Sequence, residues 1–465
     1  MKYHLPRILV AALRGGAGKT TVSIGLLAAW KESGRKIAAF KKGPDYIDAS
    51  WLSRACGLPC YNLDTYLMGE NAVCRSFFRR AAGMDGAIIE GNRGLFDGMD
   101  SVGSHSTASL AHLLCAPVIL VIDCTKSTRT LAASVIGCQR MDPSLDIRAV
   151  ILNRVGGRRH AEIVEECIRE YCGIPVLGKI YRDIALRVPE RHLGLVPPEE
   201  HTDTEEVLRI CRECVEESVD LDSLWKIAEN TQKIEAPDQD IRIEAGHRSH
   251  HIRVGVAADN SFYFYYPENI EALAEEGGQV VRVQPAKDET LPDIDALYIG
   301  GGFPEMHAEV LSRNHSFKAS FRNAVEKGLP VYAECGGVMY LGEGIEFGGR
   351  FYPMTGIFPV VYSQHPRPQG HGYTLLEVTK ENPYFATGVF LKGHEFHYSK
   401  VSPLEDDQVD FVCSVRRGYG FDGIREGLCY KNAFATFSHI HALGERHWAK
   451  AFMLKASLYQ KTHTT

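Results

Sequence analysis

At 465 residues, with 45% hydrophobic side chains, the chain is long enough for two or three domains with ordinary buried cores. A formal net charge of -6 and the lack of a Lys/Arg run argue against a nucleic-acid partner, so an anionic substrate must be met by local Arg and Lys residues. There is no apolar run of about 18 residues for a transmembrane helix, and the short apolar stretch before Gly15 does not fit a signal peptide. No membrane partner is therefore expected. Thirteen irregularly spaced cysteines read as reduced thiols of a cytoplasmic protein.

In chain order, ILVAALRG, KIAAFKK, GAIIEGN, PVILVIDC, IRAVILNRV and IPVLGKIY read as short buried strands. Between them TTVSIGLLAAWKESG and SHSTASLAHLLC read as helices, and the alternation predicts a largely parallel sheet with helices on both faces. From Pro197 the chain turns acidic and helical, and then loses periodicity in ENTQKIEAPDQDIRIEAGHRSHH, which reads as a linker. His247, His250 and His251 there read as a solvated cluster, and the Cys211/Cys214 pair in RICRECVEE as carrying no metal or redox role. A second alternating pattern follows: IRVGVAAD, QVVRVQPA, IDALYIGGG and LPVYAECGG as strands, PENIEALAEEGG as a helix, then short strands and Gly/Pro turns. The expected division is residues 1–196, a helical segment and linker over 197–250, and residues 251–465. Both large parts are read as α/β domains.

GGAGKTT follows a strand and opens a helix, the arrangement that binds phosphate through backbone N–H groups and a helix N-terminus. Gly15, Gly16, Gly18, Lys19, Thr20 and Thr21 are the expected ATP contacts, with Lys19 on the β/γ-phosphates and Thr20 on Mg²⁺. Leu13 stands where the usual pattern has glycine, which makes this a double-glycine variant preceded by Arg14. Asp45, Asp48, Glu90 and Asp97 sit at or just beyond strand ends, where ligands of open parallel sheets bind. Thr20, Asp45 and Glu90 are the candidate Mg²⁺ ligands, and Asn153 at the end of AVILN is a candidate for the adenine edge.

In PVYAECGGVMYLG, Cys335 lies between a strand and a Gly-Gly turn opening a helix, a turn that exposes a nucleophile and offers the next N–H to an oxyanion. Gly301, Gly302 and Gly336 are the expected oxyanion-hole residues. A thiol nucleophile needs a base, and FATFSHIHALG offers His439 and His441 on the same face of a strand, so spacing does not choose between them.

Taken together, GGAGKTT, KKGPDYID, EGNRGLFDG, YIGGGFPE, YAECGG, GHEFHYS and FATFSHIH resemble the cobyrinate a,c-diamide synthase family, in order and over nearly the whole chain. The resemblance implies a P-loop NTPase-like synthetase domain and a class I glutamine amidotransferase-like domain, with Cys335 as nucleophile and His439 as its base. It implies ATP, L-glutamine and cobyrinate as substrates, two amidations at the a and c acetates through acyl phosphates, and Asp45, Asp48, Glu90 and Asp97 at the synthetase site. Hydrogenobyrinate and nickel sirohydrochlorin are alternative substrates for the same chemistry, and a homodimer is left open. Two departures stand out. His441 occupies the position where many class I glutaminases carry the glutamate of their triad, leaving a Cys-His pair with Glu395 as a distant candidate orienter. The Arg14-Gly15-Gly16 loop resembles that of MinD/ParA-type ATPases, which makes an ATPase switch the rival from another class. A non-catalytic tetrapyrrole carrier is the remaining alternative.

Overall fold

The six apolar runs of the first half, joined by a short unforeseen strand at Tyr61–Leu63, become strands β1 (Arg7–Ala12), β2 (Ile37–Lys42), β3 (Tyr61–Leu63), β4 (Gly86–Glu90), β5 (Val118–Asp123), β6 (Ile147–Val155) and β7 (Val176–Tyr181). They form one sheet in the order β3-β2-β4-β1-β5-β6-β7, and every pair is parallel. Strands β1 and β2 are buried at all six residues, as expected for a sheet covered on both faces. The computed structural model describes residues 2–182, 190–191, 194–201, 203–235, 252–401 and 409–463 and separates into two units, 1–239 and 240–465. His247, His250 and His251 lie outside the described residues.

Helices α1 (Lys19–Glu32), α2 (Ile47–Cys56), α3 (Glu70–Ala81), α4 (Thr107–Leu113), α5 (Arg129–Met141) and α6 (Arg158–Cys172) cover the first sheet. Two further helices, α7 (Thr204–Ser218) and α8 (Leu221–Glu229), belong to the same unit. Each starts on an aspartate whose carboxylate accepts an N–H of the first turn: Asp203 from Glu206, Asp220 from Ser223. Helix α7 packs on α1, and Trp225 of α8 meets Trp30 of α1 edge to face at 5.2 Å. Trp30 is buried in this contact, so α1 packs on helices as well as on the sheet.

The second unit has strands β8 (Ile252–Ala257), β9 (Gly278–Val283), β10 (Ala296–Ile299), β11 (Val331–Glu334), β12 (Gly370–Val378), β13 (Phe390–His397), β14 (Asp410–Arg417), β15 (Arg425–Tyr430), β16 (Ala433–Thr436) and β17 (His439–Ile440). Their order is β9-β8-β10-β11-β16-β15-β14-β12-β13-β17. Pairing is parallel from β9 to β16 and antiparallel beyond it. Helices α9 (Pro267–Glu275), α10 (Ala308–Arg313), α11 (His315–Glu326), α12 (Gly336–Leu341) and α13 (His447–His463) accompany it. One core gathers Phe317, Phe321 and Tyr340, the other Tyr298, Tyr332, Trp448 and Phe452. The pairing of β11 with β16 brings the end of the LPVYAE strand to the FATFSHIH segment. Among the described residues no helix is long and apolar enough to cross a membrane.

Candidate active sites

In the first unit, the carboxyl ends of β1, β2 and β4 adjoin because Val10 and Lys41 both register with Glu90. The 14–18 loop leaves β1 and turns at Gly18 (φ 95) into α1. A Cβ on Gly18 would lie 2.1 Å from Asn153 Nδ2, so the loop needs glycine where the Asn153 amide meets it. That amide donates to Ala17 O at 2.9 Å, and its Oδ1 accepts the Arg154 N–H. Asn153 thus ties the end of β6 to the loop through Ala17. Gly15 and Gly16 are exposed and Thr21 half-buried in the first turn of α1. Arg14 swings to Asp123 at the end of β5 (2.7 Å), a carboxylate shared with Arg154 (2.9 Å).

Below the loop lies a buried charge cluster. Lys19 Nζ donates to Arg93 O at 2.9 Å, and Thr20 Oγ1 donates to Glu90 Oε1 at 2.8 Å. Lys41, which the sequence reading did not select, places Nζ 2.7 Å from Glu90, 2.5 Å from Asp48 and 3.7 Å from Asp45. Burial opposes the Lys41 charge, but Asp48, Glu90 and Asp45 outweigh it and hold this lysine well above its ordinary value. Burial, and then the Lys41 charge, push Lys19 down. Burial raises Asp45 to about 7, helped by Asp48, whereas Lys41 holds Asp48 below its usual range in spite of burial. Asp97 enters differently: its Oδ2 accepts the Gly94 N–H at 2.9 Å and closes the loop whose Arg93 carbonyl holds Lys19.

Among the described residues no group of His, Cys, Asp and Glu is gathered as a metal cage. Glu90 nevertheless fits one end of a Mg²⁺ site: its Oε2 is buried and has no hydrogen-bond partner, and the Thr20 hydroxyl is beside its other oxygen. Mg²⁺ commonly takes one or two protein oxygens and keeps waters. Asp45, the other candidate carboxylate, stands 3.7 Å from Lys41 Nζ and accepts the Asp48 N–H at 2.9 Å through Oδ1.

In the second unit Cys335 forms the elbow between β11 and α12 at φ 48, ψ −103, a region that side-chain-bearing residues rarely occupy. Its N–H donates to Thr436 O at 2.8 Å, which fixes the elbow against the end of β16. Burial pushes the thiol far above its ordinary value, with Glu305, Glu334 and Glu395 adding to the effect, while the Gly336 N–H points at the sulfur and opposes it. A Cβ on Gly336 would stand 2.9 Å from Gly302 O and 3.0 Å from Gly302 N. The expected oxyanion residues Gly302 and Gly336 are therefore backbone to backbone. Gly301 meets the histidine: a Cβ there would lie 2.6 Å from His439 Cε1 and 3.2 Å from Nε2.

The two candidate histidines part company. His439 Nδ1 is 3.2 Å from Glu334 Oε2, and its ring stacks on His394 at 5.0 Å. His441 turns to Glu268, Nε2 to Oε2 3.6 Å, and packs on Tyr266 at 4.6 Å. Glu395, the distant candidate orienter, instead accepts the N–H groups of Tyr419 (2.5 Å) and Gly420 (2.9 Å). Glu334 was missed because a charged residue at the end of an apolar strand gives no local sign of its partners. Cys211 and Cys214 are buried in α7 as free thiols, raised by burial to about 12 and about 11, which suits inert packing residues.

Residues 8–196 match the CobQ/CobB/MinD/ParA nucleotide binding domain, and residues 253–447 the CobB/CobQ-like glutamine amidotransferase domain. The cobyrinate a,c-diamide synthase of Magnetococcus marinus is 42% identical over 454 residues, 97% of this chain and 97% of that protein. That of Archaeoglobus fulgidus is 37% identical over 453 residues, 97% of this chain and 98% of that protein. That of Listeria innocua is 37% identical over 439 residues, 94% of this chain and 96% of that protein. With an ATP-type phosphate loop in one unit, a cysteine elbow in the other and likeness along the whole length, the chain belongs to the cobyrinate a,c-diamide synthase family.

Proposed function

We propose that this protein is an ATP- and glutamine-dependent carbon–nitrogen ligase that amidates the a and c acetate carboxylates of cobyrinate in cobalamin biosynthesis. The observation that carries the reading is the Cys335 elbow at φ 48 with a carboxylate-braced histidine beside the Gly300–Gly302 turn. A nucleotide switch of the MinD/ParA kind has no use for it. The names of the relatives supply the substrate.

Cys335 Sγ attacks the side-chain carbonyl carbon of glutamine, and its proton passes to His439. The tetrahedral oxyanion lies among the N–H groups of Gly301, Gly302 and Gly336. His439 returns the proton to the leaving nitrogen, ammonia departs, and water cleaves the thioester to glutamate.

In the first unit, a substrate carboxylate oxygen attacks the γ-phosphorus of ATP, ADP leaves, and an acyl phosphate forms. Ammonia attacks its carbonyl carbon and inorganic phosphate leaves, carrying the oxygen that came from the carboxylate. Lys19 neutralises charge on the transferring phosphoryl group, and Asp45 and Asp48 position the substrate side chain. Thr20 and Glu90 would hold Mg²⁺, which when bound neutralises phosphate charge. The cycle runs once per acetate.

The test uses cobyrinate labelled with heavy oxygen in its carboxylates, together with ATP and glutamine. Label should appear in inorganic phosphate in step with amide formation. Amide formed with unlabelled phosphate would contradict the acyl phosphate. Parallel turnover with hydrogenobyrinate and nickel sirohydrochlorin tests the substrate: faster amidation of either would replace cobyrinate.

A further inference from the structure

We infer that Glu334, the residue immediately before Cys335, is the carboxylate that orients His439 in glutamine hydrolysis, in place of one two residues after the histidine. This rests on the glutaminase reading above and names a positioning residue for it.

Glu334 is the last residue of β11 and is fully buried. Its Oε2 lies 3.2 Å from His439 Nδ1 and accepts the Tyr298 hydroxyl at 2.9 Å, while its Oε1 accepts the Ile440 N–H at 3.1 Å. Tyr298 in turn accepts from Asn269 Nδ2 at 3.2 Å, and Asn269 clamps the histidine segment through Ile440 O (3.0 Å) and the Ala442 N–H (2.8 Å). The carboxylate thus faces two donors that cannot be anything else, the Ile440 amide and the Tyr298 hydroxyl as arranged.

A carboxylate only accepts hydrogen bonds. His439 opposite Glu334 must therefore carry its proton on Nδ1, which makes Nε2 the ring nitrogen with the basic lone pair. The Nε2–Cε1 edge faces Gly301, within the turn whose next residue backs Gly336 beside Cys335. The imidazolium formed during attack gains from the charge behind it. On the other face of the ring, His394 is held well below its ordinary value by burial and by the neighbouring His439 and His441, so it adds no opposing charge. His441 is paired with a different carboxylate, Glu268.

Glutamine in place of Glu334 has nearly the same shape, but presents an NH₂ group to one of the donors. Facing His439, that NH₂ would select the wrong tautomer; facing Ile440, it would set donor against donor. The experiment measures glutaminase activity and ammonia-dependent amidation in the full chain, for the wild type, Glu334→Gln, His439→Ala and the double variant. Glu334→Gln should lower glutaminase kcat by about 10²–10⁴-fold, the span of general-base catalysis, with KM for glutamine little changed and ammonia-dependent amidation at the wild-type rate. The acid limb of its pH profile should move to lower pH, since the imidazolium has lost its counter-charge. Adding Glu334→Gln to His439→Ala should cost nothing more, and Glu334→Asp, which restores an acceptor-only group, should recover part of the loss. Glutaminase within about twofold of the wild type, an unmoved acid limb, or a full further loss in the double variant would overturn the assignment. An active wild type with an inert Glu334 sinks this inference alone, whereas a wild type without glutaminase sinks the proposed function with it.

Discussion

Lys41 carries its charge inside the protein because three carboxylates share it, and its loss would leave Asp48 and the buried Glu90 without the cation between them. Lys41→Met should lower the stability of the first unit by about 3–5 kcal/mol, the usual cost of breaking a buried ion pair. It should abolish amidation from glutamine and from ammonia alike, as read by denaturant unfolding and product assay; unchanged stability would contradict the network. Lys19→Ala should also end amidation from both nitrogen donors, with glutamine hydrolysis intact, and near-normal ammonia-dependent synthesis would refute the role of Lys19. Glu426 offers a pH test. Burial raises its carboxyl from 4.5 to about 8, so the folded state holds a proton that the unfolded chain releases. That contribution is present below pH 4.5 and is lost as pH climbs to about 8. The unfolding midpoint of Glu426→Gln, relative to the wild type, should therefore rise between those limits, and a constant difference would contradict the buried proton. Lys19, Thr20 and Glu90 were legible in the sequence because phosphate loops and strand ends have local signatures. Lys41 was not, since a Lys-Lys pair closing a strand looks like a solvated end. Glu334 was not, since Tyr298, His439 and Ile440 meet it only through sheet pairing.

The elbow is an element-scale device, in which a parallel strand and a short helix meet at a residue held at positive φ and the flanking glycines let two backbones touch. Gly336→Ala would drive a methyl to within 2.9 Å of Gly302 O, where backbone cannot yield as a side-chain tip can. The variant should lose glutamine-dependent amidation by about 10²-fold or more, the scale of losing one oxyanion donor, and keep ammonia-dependent amidation. Retention of both would contradict the close packing of the oxyanion turn. Strand–Cys–Gly–Gly–helix could be read directly, as could six of the seven strands in the first sheet, whose continuous apolar runs reflect burial on both faces. Strand β3 escaped because Tyr61–Leu63 is only three residues long. The antiparallel half of the second sheet was legible only as short strands and turns, because its order depends on pairings between distant segments.

At the scale of the whole molecule, the proposed function divides labour: the first unit, with its parallel sheet and charged crevice, would activate carboxylates, and the second, with its mixed sheet and cysteine elbow, would make ammonia. The acidic helices α7 and α8 lie with the first unit, packed against α1, in a stretch whose composition alone said only that it was helical. The most direct test measures amide formed by wild type and Cys335→Ala from glutamine and from concentrated ammonium salt at mildly alkaline pH, with ATP and cobyrinate present. The variant should form no amide from glutamine and hydrolyse none, yet amidate from ammonia at close to the wild-type rate. Amide formed from glutamine by the variant, or loss of the ammonia reaction in a variant that folds normally, would contradict it.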